Sequence, residues 1–345
     1  MSQMLLEAHE APGVVARQLV SNLPLLERLA ERFQQHPPRF ITMSARGSSN
    51  NAAVYAKYLI ETRLGLPVVS SAPSIGTLYR ARIDLRETIM LCVSQSGASF
   101  DLVENARWAK GRGAWVISLL NNPNSPLGDV SDSVVPLHAG EETSVAATKS
   151  FIASLSAMLQ LVACVEKGRE LPELLDRLPD QLALAIALDW SRATEPLCTG
   201  PDLFVVGRGL GLCVAREAAL KFKETCDLHA EAFSGAEVLH GPSALVRNGL
   251  PVLLFGQADG TRPSSAALAR RLRVQGAVVF AAGLSDAEAP PTSGAFGLPT
   301  IPGIHAAVAP LTQSQTLYGL LDLVARHRGV DPDQPAHLTK VTRTQ

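Results

Sequence analysis

At 345 residues, with 46% hydrophobic and 18% charged residues, the chain is long enough for two domains of ordinary size with full apolar cores. That balance excludes an intrinsically disordered chain. A formal net charge of −1 without a run of Lys or Arg argues against a nucleic-acid partner, whereas a small phosphorylated ligand stays open because a few backbone N–H groups can hold one phosphate.

The N-terminus, MSQMLLEAHEAPGVV, has no basic segment followed by an apolar run, so a secretory signal is not expected. Past it, the β-branched runs RFITMSA (39–45), ETIMLCVS (87–94) and GAWVISLL (113–120) read as strands, each followed by a helical pattern or a turn. The run 147–168 reads as a long helix. Its most apolar part, FIASLSAMLQLVACV (151–165), is too short to span a bilayer and contains Ser and Gln, so a buried helix and no membrane partner are expected. EPLCTGP (195–201) supplies turn chemistry and a boundary. Beyond it the pattern restarts, with strands in 202–209, 250–257 and 276–283 and helices around 211–226, 262–274 and 311–327.

Strands alternating with helices predict an α/β fold with parallel sheets. FITMSARGSSNNAAVYAKYLIE (40–61) aligns with LFVVGRGLGLCVAREAALKFKE (203–224), each a strand, an Arg-Gly turn and an Ala-rich helix, which points to a duplicated unit. The expected division is 1–190, 191–328 and a tail, 329–345, whose prolines and polar residues would ordinarily mark a frayed end. The five cysteines, Cys92, Cys164, Cys198, Cys213 and Cys226, are odd in number and form no C-x-x-C pair, so reduced thiols and a cytoplasmic location are expected.

Two turns suit an anion. SQSGAS (94–99) runs from a strand into a helical segment, so helix N–H groups and the hydroxyls of Ser94, Ser96 and Ser99, with Gln95, can surround a phosphate. Taken alone, the motif is equally consistent with Ser99 simply capping the helix. ARGSSN (45–50) follows the first strand in the same way and offers Arg46, Ser48 and Ser49 at the carboxyl end of the sheet, where open α/β sheets bind ligands. Neither turn has dinucleotide or P-loop spacing. In HAGEETSVAATKS (138–150), Ser144 reads as the cap of the long helix.

EAALKFKETCDLHAEAFSGAEVLHG (217–241) collects polar residues. Glu217, Lys221 and Glu224 share one helical stripe, which by residue type alone reads first as a surface ladder of ion pairs. Cys226, His229, Glu231, Glu237 and His240 match no metal-ligand spacing, so no metal is expected.

RGSS (46–49), SQSG (94–97), SVAATKSF (144–151), EAALKFKE (217–224), HAEAF (229–233), LHGP (239–242) and DQPAHLTK (333–340), in this order, resemble the sugar-isomerase (SIS) family. The resemblance is to the isomerase half of glutamine–fructose-6-phosphate aminotransferase and to stand-alone SIS-type glucosamine-6-phosphate deaminases. It implies two SIS subdomains, each a three-layer α/β/α sandwich of flavodoxin-like type, with the C-terminal tail forming a wall of the active site. By the same resemblance Ser94, Gln95, Ser96 and Ser99 hold a phosphate, and Ser48 and Ser49 contact the sugar. Arg46, Val145 and Thr339 join the substrate-binding set. Glu224 corresponds to the base moving a proton between C1 and C2, and Lys221 assists it. His240 matches the ring-opening residue, supplied across a homodimer interface, and Lys340 a lysine that contacts the open-chain sugar and can form a Schiff base. No cofactor is implied.

One base serving both carbons of an enediol or enamine suits aldose–ketose chemistry, and a histidine near neutrality suits ring opening. ARGSS replaces the synthase's Cys-Gly-Thr-Ser turn, and Ala98 and Ser99 replace its Glu and Thr. The synthase also carries an N-terminal glutaminase with a nucleophilic first cysteine, and from a sequence starting Met-Ser-Gln no such domain is expected. The expectation is therefore a glucosamine-6-phosphate deaminase, hydrolysing an aminosugar phosphate to fructose 6-phosphate and ammonia. The alternatives are another phosphosugar isomerase or deglycase of the family, or a non-catalytic sugar-phosphate-binding regulator.

Overall fold

The computed structural model describes all residues except 199, 248, 289–294 and 341–345, together with the side chains of Ala295 and Phe296. The first part of the chain runs α1 (Gln3–His9), α2 (Ala11–Gln35), β1 (Ile41–Ala45), α3 (Gly47–Leu59), β2 (Val68–Ser70), α4 (Pro73–Thr77), β3 (Ile89–Ser94), α5 (Phe100–Lys110), β4 (Trp115–Leu120), α6 (Pro126–Val130), β5 (Ser133–Pro136), α7 (Lys149–Glu166) and α8 (Glu170–Ile186). The second runs α9 (Thr194–Cys198), β6 (Asp202–Gly207), α10 (Gly211–Cys226), β7 (His229–Ser234), β8 (Pro251–Phe255), α11 (Arg262–Val274), β9 (Val278–Ala282), β10 (Ala295–Leu298) and α12 (Ala309–His327).

Contacts divide the chain into two compact units. One contains residues 11–143, 149–179 and the end of the tail from Thr339; the other contains 1–10, 144–148 and 180–338. Each holds a five-stranded, wholly parallel sheet, of order β2-β1-β3-β4-β5 in the first and β7-β6-β8-β9-β10 in the second. The orders are the same, with β6 in the place of β1 and β8 in the place of β3, as the internal repeat predicts.

In the first unit the pleat sends alternate residues to opposite layers. Met90 and Cys92 of β3 pack with Val116, Leu102 and Ala106 on the α5 side. Ile89 and Leu91 line the other face, with Ile41, Phe33 and Leu161 from β1, α2 and α7. Strands buried on both faces are apolar at nearly every position, which is why β3 reads IMLCV before the buried Ser94. The second unit repeats the arrangement, with Phe204, Val206, Val252 and Leu254 packed against Leu268 and Leu272 of α11.

Helix α7 is the one among the described residues long and apolar enough to cross a membrane, and 83% of it is buried within the protein. All five cysteines are free. Ser144 does not cap α7, which begins only at Lys149; its amide donates instead to the carboxylate of Glu7 on α1 at 3.2 Å. The tail is tied down as far as it is described within the second unit: Asp333 accepts the Gln3 and Met4 amides at 2.7 and 2.8 Å, satisfying the first turn of α1.

Candidate active site

In the first unit, β1 and β3 are hydrogen-bonded neighbours, with Met43 opposite Leu91 and Ala45 opposite Val93, so the turns at their carboxyl ends lie side by side. The first turn is shorter than the sequence suggests. Helix α3 already starts at Gly47, which places Ser48 and Ser49 in its first turn rather than before it. At the second, Ser94 Oγ accepts the Gly97 amide at 3.1 Å and Ser96 Oγ the Ala98 amide at 3.3 Å, folding the loop back on itself. Gly97 has φ +64°, and a Cβ there would fall 2.0 Å from Ser125 Oγ, so only glycine fits.

Ser99 occupies the N-cap position of α5, but its hydroxyl makes no capping bond. The simple capping role is thereby excluded, and the side chains of Ser49, Gln95 and Ser99 have no internal partner among the described residues. Arg46 reaches Asp101 in the first turn of α5, with Nε and Nη2 at 2.8 and 2.7 Å from Oδ2. Two helix N-termini with hydroxyl and amide donors between them make a cradle for an anion.

The same unit holds Lys340. Its Nζ donates at 3.0 Å to Glu142 Oε2, and the Glu142 side chain is fully buried. Glu142 also accepts the Ser150 amide at 3.1 Å and the Ser150 hydroxyl at 2.6 Å. Thr339, beside Lys340, is exposed. Sequence reasoning missed Glu142; its only signal is an acid set among Gly, Thr and Ser just before an apolar helix.

The second unit carries Glu224, Lys221, His240 and Val145. Helix α10 follows the β6 turn, with Val214, Ala218 and Phe222 fully buried. The stripe Glu217–Lys221–Glu224 is not a surface ladder. The side chains of Lys221 and Glu217 are 1% and 0% exposed, and only Glu224, at 21%, reaches an opening. Lys221 Nζ lies 2.5 Å from Glu224 Oε2 and 3.4 Å from Glu217 Oε1. Burial acts to lower the Lys221 pKa, but the two carboxylates outweigh it and the net shift is upward. Lys221 is therefore a fixed ammonium at neutral pH. It can hold Glu224 in position, but it is no base itself.

His240 ends a short 3-10 turn (Glu237–His240), is exposed, and makes no ring hydrogen bond or ion pair among the described residues. Val145 is half-buried in the 144–148 segment. His229 and Glu231 belong to strand β7 and point outward on either side of buried Ala230, with His229 Nδ1 2.9 Å from Asp202 Oδ1. Among the described residues no cluster of His, Cys, Asp and Glu could hold a metal ion.

The SIS domain family model matches residues 37–164 and again 199–323, one copy on each sheet. The chain belongs to the SIS family. A glutamine–fructose-6-phosphate aminotransferase from Aeropyrum pernix is 34% identical over 99% of this chain. This chain covers only 57% of that relative, and it spans little more than half the length of the curated relatives it matches. Among solved structures, a protein from Silicibacter pomeroyi DSS-3, described provisionally as a phosphosugar isomerase, superposes with a TM-score of 0.90 at 40% identity, covering 96% of this chain and 100% of its own. The C-terminal domain of glucosamine-fructose-6-phosphate aminotransferase from Francisella tularensis gives 0.87 at 27% identity, covering 97% and 98%. The match to the aminotransferases falls on their isomerase half, so SIS phosphosugar-isomerase homology covers the whole chain described here.

Proposed function

We propose that this chain is an aminosugar-phosphate deaminase of the isomerising kind, converting glucosamine 6-phosphate and water to fructose 6-phosphate and ammonia. The observation that carries this reading is the Lys221–Glu224 pair, a carboxylate that reaches an opening and is held by a buried ammonium. The likeness to aminotransferase isomerase domains supports an aminosugar phosphate as substrate.

In this scheme the SQSGAS turn, with Ser48 and Ser49, holds the phosphate and the sugar, and remote binding energy positions the reacting carbons. The partner subunit's His240 opens the ring in a homodimer; its exposure on this chain agrees with that role. Glu224 takes the proton from C2 of the open-chain aldehyde, leaving an enolamine, and returns it to C1. The resulting C2 imine adds water and expels ammonia, so one water enters, one ammonia leaves and no oxidant is needed. Lys221 holds the Glu224 carboxylate in place. Lys340, oriented by Glu142, meets the open-chain sugar.

Purified protein should release ammonia and fructose 6-phosphate in equal amounts from glucosamine 6-phosphate. Glu224→Gln should lower kcat by about 10²- to 10⁴-fold, the usual worth of a general base, while fructose 6-phosphate still binds. Failure of the wild-type protein to release ammonia from any hexosamine 6-phosphate would sink the deaminase reading. The Silicibacter likeness favours one second reading, phosphosugar isomerisation without deamination. Interconversion of aldose and ketose 6-phosphates with no ammonia formed would establish it.

A further inference from the structure

The Arg46–Asp101 ion pair joins the two turns of the first unit, and its position poses an electrostatic problem. Asp101 sits in the first turn of α5, immediately after the serines, and its side chain is only 7% exposed. A buried carboxylate there opposes any phosphate bound at the same helix N-terminus, and opposes a dianion more than a monoanion. Arg46, 54% exposed, spends Nε and Nη2 on one oxygen, Asp101 Oδ2, while Asp101 Oδ1 accepts the Leu102 amide at 2.9 Å. Its Nη1 makes no bond among the described residues.

A second strut stands one turn further along α5. Asn105 Nδ2 donates to Ser44 Oγ at 2.9 Å and Ser71 Oγ at 3.2 Å, fastening α5 to the ends of β1 and β2. The guanidinium is thus held by a carboxylate that is itself fixed, in the unit whose Ser99 hydroxyl and Gln95 side chain make no bond among the described residues.

We propose that Asp101 is a positioning residue that holds Arg46 over the phosphate turn, and that Arg46 determines specificity by cancelling the Asp101 charge and leaving Nη1 for a dianionic phosphate ester. This rests on the reading that the SQSGAS turn holds the substrate phosphate.

Calorimetric titration with inorganic phosphate and with fructose 6-phosphate, at pH 7.5 and low salt, tests this directly. Arg46→Gln should weaken both ligands by about 10- to 100-fold, the usual worth of hydrogen bonds to a charged group with its partner left unpaired. Arg46→Gln combined with Asp101→Asn should recover the part of that loss that comes from the uncancelled Asp101 charge, but not the part that comes from the missing Nη1 donor. Arg46→Lys, which keeps the charge, should stay within a few-fold of wild type. Wild-type affinity in Arg46→Gln, or no recovery in the double variant, overturns the proposal. Ser96→Ala combined with Ser99→Ala separates it from the underlying reading: if that variant binds phosphate unchanged, the turn is not the phosphate site and both fall. Circular dichroism melts of each variant show that the fold is kept.

Discussion

Lys221 is buried away from solvent, between the carboxylates of Glu217 and Glu224. Replacing it by methionine leaves Glu217 fully buried without its cation, and breaking such a buried pair costs about 3–5 kcal/mol. Lys221→Met should therefore lower the urea midpoint strongly, and restoring charge with arginine should not restore the packing. The sign of the pH dependence is fixed by the upward shift of the Lys221 pKa from 10.5. A group protonated more tightly in the folded state stabilises fully below the unfolded value and loses that contribution as pH rises through the folded one. Stability measured by urea melts should thus show a Lys221-dependent fall only above about pH 10.5, absent from Lys221→Met. A fall of the same size in both proteins would assign the alkaline transition to other groups.

At the scale of elements, the strands divide cleanly by how much of them the sequence discloses. β1, β3, β4, β6, β8 and β9 are central, buried on both faces, and read as continuous apolar runs. The four that pattern reasoning did not find, β2, β5, β7 and β10, are the four sheet edges. VVS, SVVP and AFGL are only three or four residues long, and HAEAFS breaks its apolar positions with His229, Glu231 and Ser234, so none announces a buried strand. The same reasoning explains the site. The serine turns were legible because strand, turn and helix are contiguous. Glu142 and Lys340 were not legible as a pair, because 198 residues separate them and only the fold makes them partners. The β3–α5 turn also offers a local test. Gly97→Ala forces an L side chain into the left-handed region and drives its Cβ onto Ser125, whose hydroxyl caps α6. A loss of about 1–3 kcal/mol in thermal or urea melts is expected from the backbone strain, together with weakened phosphosugar binding. An unchanged affinity in the folded variant would mean that the loop's shape does not matter to the ligand.

The whole molecule is two units that share one interrupted chain. Residues 144–148 belong to one unit yet lie between two segments of the other, and residues 1–10 precede a segment of the other unit. A chain that passes back and forth in this way has no single linker at which one unit could come away with its connectivity simple, as separable domains do. The cysteines report on both halves. Cys92 and Cys164 are in the first unit, Cys198, Cys213 and Cys226 in the second. Burial pushes the Cys92 and Cys226 thiols up to about 12 and Cys164 up to about 11, and raises Cys213 as well. At pH 8 these thiols are almost wholly protonated in the folded state and poor nucleophiles, whereas in the unfolded chain they approach ordinary reactivity. Alkylation followed by peptide mapping across a urea gradient should therefore find Cys92 and Cys213 labelled with one common midpoint, because segments of the two units alternate along one chain. Labelling of Cys213 at a clearly lower urea concentration than Cys92 would show that the second unit unfolds by itself and that the interleaving of the chain does not couple the two cores.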